Sequence, residues 1–530
     1  MRQAAQIPPQ VMESISTPER VETHLGTLEF PLGMPTDETA GRIYDHLDQA
    51  HAERAFLDAY AGVSAWAVRR GFLAAGVKDH DVLLFSQFMD AGTLLLTGNA
   101  DTVYFSTFLD LTEGPVVVEM PPGALSFVND MWFRWVTDPG MPGPDRGAGG
   151  AYLFVPPGYE GPLPEGGFFT HHVRTTRLLL GGRAFLEGDD PTPAVDRVKE
   201  GLRIHRYVPG LYGTSVAEIV SGGTAPPLPW TAETWTDALH RAGPPRFVEG
   251  SGLRVNTIPP ADATYFDFAN ELVQDQPAEA LDPEIAGPLA AVGIVAGESF
   301  QPDARMRNIL TEAAAVGNAT ARTLACRPRP AEAAHFYGAS SRWVNGLLAS
   351  GYDFMTPPAD ITDSGVEPRP STGARKLNMR SWWWYLAVGI SPTFATRLTG
   401  VGSQYVFSFA DQEGGALDGG RHYRLVLPPD IPAARFWSCT VYDNQTRSMI
   451  DTPSRFPRAG SQAYPSPAAV AGADGTTTVH FGPGRPDGVP EGNWIETPPG
   501  RGWFVVLRLY SPLRPFFDKT WRPGEIEAVD

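Results

Sequence analysis

Four stretches of the chain gather residue types that can do chemistry. The first is Asn99-Ala-Asp101-Thr-Val-Tyr104, between the apolar run LLLTG and a β-rich segment. Its Asn and Asp either bond the backbone and set a turn, or stand at a strand end facing a cleft. In the second reading Asp101 accepts hydrogen bonds, or serves as a general base if burial raises its pKa, with Tyr104 beside it. The second stretch is Asn129-Asp130-Met-Trp132-Phe-Arg134-Trp135. If a strand starts at Asp130, alternation puts Asp130, Trp132 and Arg134 on one face. A carboxylate, an indole and a guanidinium side by side make a pocket wall for a polar ring or an anion. The plainer alternative is an Asp–Arg pair next to a half-exposed Trp.

His171-His172-Val-Arg174-Thr-Thr-Arg177 is the third. A period of two groups His172 with Arg174 and Thr176. An inward Arg on a central strand needs an anion, either an internal one such as Asp101, Asp130 or Asp138, or a ligand. The fourth lies near the carboxyl end: Trp437-Ser-Cys-Thr-Val-Tyr442-Asp-Asn, with Asn493-Trp494 and Arg508 between Leu507 and Leu509. An Arg flanked by apolar residues on a strand is expected to be paired. Aromatics with Asn, Asp and Arg at strand ends suit sugars and carboxylates, and they also serve as core rings and turn residues.

The familiar cradles are missing. No phosphate-binding loop, dinucleotide glycine fingerprint, His-Glu-x-x-His or calcium loop occurs, so no cofactor is expected. The eleven histidines are scattered, and adjacent His171 and His172 would point to opposite faces of a strand, so no metal site is expected either. Gly213-Thr-Ser215-Val-Ala217 misses the nucleophile-elbow pattern at its last position and reads as a turn opening a helix. Cys326 ends an Ala-rich helix and Cys439 sits in an apolar strand, which makes both buried hydrophobes.

Positioning these groups falls to a chain of 530 residues, 42% apolar and 19% charged, with 56 Gly and 51 Pro. That composition folds into several domains and favours turns and short strands. A net charge of −18 leaves no basic footprint for nucleic acid. The longest apolar run, Ser381–Ile390, is too short to span a bilayer. No secretory signal is visible behind Met1, so a cytoplasmic location is expected. Four regions follow. Residues 1–75 form an arm and helices, starting at Thr36-Asp-Glu-Thr. Residues 76–205 form a first β module of short runs, including Trp132–Val136 and Phe168–Leu180, separated by Gly/Pro turns. Residues 206–399 are a mainly helical connection, with helices at 261–273, 282–292 and 303–325. Residues 400–530 form a second β module.

These residues also carry a resemblance. Asn99, Asp101, Thr102, Tyr104, Leu109-Asp110-Leu111 and Gly114–Val117 resemble the signature of the bacterial domain of unknown function numbered 1254. LPPDIPAARFWSCTVYDNQTRSM and GNWIETPPGRGWFVVLRLYSP are similar to its usual partner, the domain numbered 1214. The resemblance implies an all-β fold for each module, the second like a jelly roll, with helices between. It implies no chemistry. Many relatives look exported, and this chain departs from them in showing no signal.

The expected fold is therefore mainly β with an α-helical middle, two sandwich- or jelly-roll-like modules flanking helices. The expected function is a metal-independent hydrolase or lyase acting on a small polar or anionic molecule. Asp101 would be its acid–base, with Tyr104 and Arg134 or Arg174 holding developing charge. Asn99, Asp130, Trp132, His172, Trp437, Tyr442, Asn493, Trp494 and Arg508 would line the ligand. The alternatives are a non-catalytic binder of a sugar-like or carboxylate ligand, and an assembly role for the Trp382–Trp384 segment. The partner is a small molecule, and homo-oligomerisation stays open.

Overall fold

The computed structural model describes residues 7–164, 166–208, 243–362 and 364–529. The Gly213–Ala217 motif lies outside them. Each β module holds two sheets. In the first module a six-stranded sheet runs Phe247–Glu249, Val82–Phe85, Val103–Asp110, Arg177–Ala184, Leu125–Asp130, Trp135–Thr137. The facing four-stranded sheet runs Phe169–His172, Gly150–Val155, Val116–Met120, Arg203–Arg206. Strand periodicity sorts the side chains. Val116 and Val118 enter the main core with Phe105, Phe108 and Leu178, while Val117 packs on the other face with Leu153 and Val155.

Two expected strands come out differently. Phe168–Leu180 is not one run. Phe169–His172 pairs in parallel with Gly150–Val155, the chain crosses over, and Arg177–Ala184 becomes a central strand of the other sheet. Arg174 sits in that crossover, so the period of two does not carry through it. Trp132 and Arg134 likewise lie in a turn. The strand Leu125–Asp130 ends at Asp130, whose Oδ1 accepts the N–H groups of Trp132 and Arg134 at 2.8 and 3.0 Å. Phe133 takes a left-handed φ of 53°, and the chain returns as Trp135–Thr137. Asp130 is thus a turn-former as well as an ion-pair partner.

The helix opened by Thr36 runs Asp37–Asp58, with the Thr36 hydroxyl accepting the Thr39 N–H. Tyr60–Ala74 follows it. Helices Thr264–Asp275, Pro283–Ala291 and Ala304–Cys326 pack with them, sharing Phe56, Tyr265, Leu272 and Ala314 in the same core as the first module's sheets. The helix Leu377–Leu386 is buried there too. Trp382, Trp383 and Trp384 are 0%, 2% and 4% exposed inside their own chain. An assembly contact through these rings has no exposed surface to use.

The second module has a main sheet ordered Trp343–Val344, Ser403–Ser408, Gly502–Pro512, Ala433–Asp443, Arg458–Gly460. A second sheet runs Trp494–Glu496, Thr477–Gly482, His422–Leu427, Glu527–Val529. The strands Ala433–Asp443 and Gly502–Pro512 are antiparallel neighbours buried on both faces. Odd positions, Trp437, Cys439, Val441, Trp503, Val505, Leu507 and Leu509, fill the module's own core. Even positions Ser438, Tyr442, Arg508 and Tyr510 turn the other way and meet the first module.

Candidate functional site

Where those even positions arrive, they grip the loop Thr97–Asp101. Tyr442 donates its hydroxyl to the Gly98 carbonyl at 2.6 Å, and Arg508 Nη2 donates to the Thr97 carbonyl at 3.0 Å. Asp101 is fully buried. Its Oδ2 accepts Ser438 Oγ at 2.7 Å and Tyr510 Oη at 2.8 Å, and its Oδ1 accepts Arg458 Nε at 2.8 Å. Asn99 closes the ring: its Oδ1 accepts the Asp101 N–H at 2.7 Å and its Nδ2 donates to Tyr510 Oη at 2.6 Å. Asp101 is therefore the buried counter-ion of Arg458 and a clasp between modules. Its two oxygens are taken up by three donors, one of them cationic, and it does not line the neighbouring cavity, so it is placed as a structural partner and not where the expected acid–base would act.

Beside the clasp, and not including Asp101, lies a cavity of about 170 Å³. The first module contributes Phe85, Asn99, Tyr104, Ser106, Phe127 and Arg183 to its wall. The second module gives Ser403, Tyr405, Phe407, Val506 and Arg508, and the tryptophan helix gives Trp383. Two adjacent glycines make the space. A Cβ on Gly181 would stand 2.6 Å from the Phe127 ring, and one on Gly182 would stand 2.2 Å from the Phe105 ring.

Arg183 and Arg508 give this apolar chamber its charge. They are 7% and 6% exposed, one from each module, and neither has a carboxylate within ion-pair distance among the described residues. Arg183 Nη2 donates to Ser403 Oγ at 3.1 Å, and its guanidinium lies 5.4 Å from the centre of the Tyr510 ring. Arg508 has the Thr97 carbonyl and the Tyr442 ring at 5.5 Å. Burial works against the Arg508 charge, but the surrounding Tyr442, Tyr510, Asp101 and Tyr104 outweigh it and hold its pKa above the ordinary guanidinium value. Burial also raises the Tyr405 hydroxyl, outweighing the two arginines, so it stays protonated and able to donate.

Of the residues singled out from sequence, Asn99, Tyr104 and Arg508 line the chamber, and Asp101 and Tyr442 stand just behind its wall. The others lie elsewhere. Arg134 and Arg174 share Asp282, at 3.2 and 2.9 Å, and Arg134 also holds Asp130 at 2.6 Å. That ion cluster runs from the buried Asp130 to the half-exposed Arg174 and lies outside the chamber wall, so neither arginine stands where the expected charge-stabilising role would need it. Trp132 is a core ring packed against Gly62, not a platform. His172 is exposed on an edge strand. Trp437 belongs to the second core. Asn493 staples the backbone of Val470 and Thr478, and Trp494 donates to the Gly482 carbonyl. Sequence reasoning missed Arg183, Ser403, Tyr405 and Trp383. The signal for Arg183 was present: like Arg508 it interrupts an apolar strand, here LLLGGRAF. Among the described residues no three His, Cys, Asp or Glu side chains converge as a metal site. No described helix is long and apolar enough to cross a membrane.

Fold and site define a two-module β protein with a chamber walled by both modules and a helical layer. Residues 82–206 match the family described as protein of unknown function (DUF1254), and residues 402–514 match protein of unknown function (DUF1214), so the chain carries both domains, in the two modules where the signatures lie. Two solved structures are similar over most of their length. The VPA0106 protein from Vibrio parahaemolyticus shares 16% identity, with 91% of this chain and 100% of that one covered and a TM-score of 0.48. An uncharacterized protein from Burkholderia cenocepacia shares 13% identity over 93% and 97% of the two chains, with a TM-score of 0.36. No curated protein matches the chain.

Proposed function

We propose that the chamber binds a small carboxylate with an apolar body, without chemically changing it. The observation that carries this reading is the pair Arg183 and Arg508, buried in one apolar cavity with no acidic side chain facing them. Both guanidiniums are buried with no carboxylate in contact among the described residues, and a planar guanidinium suits a carboxylate in two-point contact. The wall is too apolar for a sugar, whose hydroxyls each require a partner. It contains no Asp, Glu, His, Cys or Lys among the described residues, so no general base or activated nucleophile faces the ligand. This favours the binder over the hydrolase or lyase. In the proposed complex the arginines hold the carboxylate, Tyr104, Tyr405 and Asn99 supply further polar contacts, and the rings of Phe127, Phe407 and Trp383 cover the apolar body.

The test is a fluorescence titration with 2-naphthoate and its neutral counterpart 2-naphthalenemethanol. The acid is expected to bind more tightly than the alcohol, and Arg508→Met to erase that preference. Equal affinities for the two, or no binding of either, would overturn the proposal. Mass spectrometry of the solvent-extracted protein is expected to release an organic acid.

A further inference from the structure

The chamber is only partly enclosed, and one stretch of chain separates it from a second, more open surface cleft. Between the strand Val82–Phe85 and the clasp loop, residues 89–97 run as a strap. Met89, Thr93, Leu95, Leu96 and Thr97 line the chamber, while Asp90, Ala91, Gly92 and Leu94 line the cleft on the other side. Through Thr93, Leu94 and Leu95 the alternation is that of an extended strand: in, out, in. A single thickness of backbone is thus the partition.

The strap is held along one side: Val255 N–H donates to the Gly92 carbonyl at 3.2 Å, and Thr257 donates its N–H and its Oγ1 to the Leu94 carbonyl at 3.0 and 2.8 Å. Its regular pairing consists of two residues, Thr93 and Leu94, in parallel with Val255 and Asn256. Parallel ladders this short hold weakly. At its start, Asp90 Oδ2 accepts Arg455 Nε of the second module at 2.9 Å, across a pair in which the Asp90 side chain is 11% exposed and that of Arg455 45%. At its end, Thr97 is fastened to the Arg447 and Leu386 backbone and to Arg508. One end is anchored in the clasp, and the other is tied across the module boundary by an ion pair at the cleft.

We propose that residues 89–95 form a door to the chamber, hinged on the Thr97–Asp101 loop and latched by the Asp90–Arg455 pair. Breaking the latch lets the strap swing into the cleft and joins cleft to chamber. This inference concerns access and holds whichever molecule occupies the chamber.

The test is therefore independent of any ligand. In the full chain carrying Cys326→Ala, Ser106 on the chamber wall is replaced by cysteine, and its modification by the small neutral reagent methyl methanethiosulfonate is followed by mass spectrometry. Asp90→Asn keeps the Oδ1 that caps the Gly92 N–H and puts an amide NH2 in place of Oδ2, removing both the charge and the acceptor of Arg455 Nε, while Arg455→Met removes the other half. Each is expected to speed labelling at position 106 by about fivefold, the ratio that follows from loss of a latch worth roughly 1 kcal/mol. Cys439, buried in the second core away from the chamber, serves as the internal reference and is expected to keep its rate. Unchanged labelling at 106, no labelling in any variant, or equal acceleration at Cys439 would each overturn the door. Failure of 2-naphthoate to bind would count against the proposed function and leave this result standing.

Discussion

Arg458 and Arg508 sit on the same sheet of the second module, both buried, both reaching toward the first module, and they have opposite surroundings. Arg458 meets Asp101 head-on and also donates to Ser466 Oγ. Arg508 meets a carbonyl and the face of a tyrosine, with no carboxylate in contact. Removing one partner of a buried pair strands the other, whereas removing Arg508 gives up a carbonyl bond and a ring contact but leaves no opposite charge stranded in contact with it. The contrast separates a guanidinium paired with a carboxylate from one that meets a carbonyl and a ring instead.

The largest effect is expected from Asp101→Asn, which leaves Arg458 buried without its counter-ion and should lower unfolding stability by about 3 kcal/mol or more in urea titration. A loss below about 1 kcal/mol would break the comparison at its first half. Arg508→Met should divide the two effects the other way. Stability should fall by only about 1 kcal/mol, the worth of the Thr97 contact, while affinity for 2-naphthoate falls roughly 30- to 150-fold, the value of a charge-assisted bond of about 2–3 kcal/mol. Loss of stability without loss of affinity would move Arg508 into the structural class. A smaller step is expected from Ser438→Ala. It removes one neutral donor to the Asp101 carboxylate, so thermal or urea unfolding should show a cost of about 1–2 kcal/mol.

The Asp282 cluster sharpens the scale at its low end. Burial pushes the Asp282 carboxyl up, but Arg134 and Arg174 outweigh that and hold it below the ordinary value. A lowered carboxyl stabilises above the unfolded pKa of about 4 and loses that contribution as pH falls toward the folded value. Asp282 and Arg174 are well exposed, so Asp282→Asn should cost less than about 1 kcal/mol at neutral pH. The gap between variant and wild type should close as pH falls below about 4.

The strands and helices were largely legible because periodicity and turn residues are local signals. Thr36 and Asp303 do cap their helices, and Val116–Met120 alternates between two cores as a strand should. The site was legible only in part. Asn99, Asp101, Tyr104, Tyr442 and Arg508 were picked out by residue type, and all five gather at the module boundary. What each one touches depends on which strand is brought against which, and no spacing within a short motif encodes that. Asp101 finds its partners 337 and 357 positions away, in Ser438 and Arg458. Trp132 and Arg134 were misplaced for a local reason: the left-handed Phe133 folds the chain into a turn where alternation would have continued it. Arg183 stands apart from the polar clusters, between glycine and alanine, and only its place in an apolar strand marks it.

The alternation of the two strands Ala433–Asp443 and Gly502–Pro512 has one more implication. Their second face carries Ser438, Tyr442, Arg508 and Tyr510, and it meets the loop that bears the amino-terminal signature together with Arg183 and Phe185 of the first module. An excised carboxyl-terminal half would expose that row of hydroxyls, rings and an arginine as a raw seam, and the amino-terminal half would lose the donors that hold Asp101. In this chain the two modules meet along one shared polar seam.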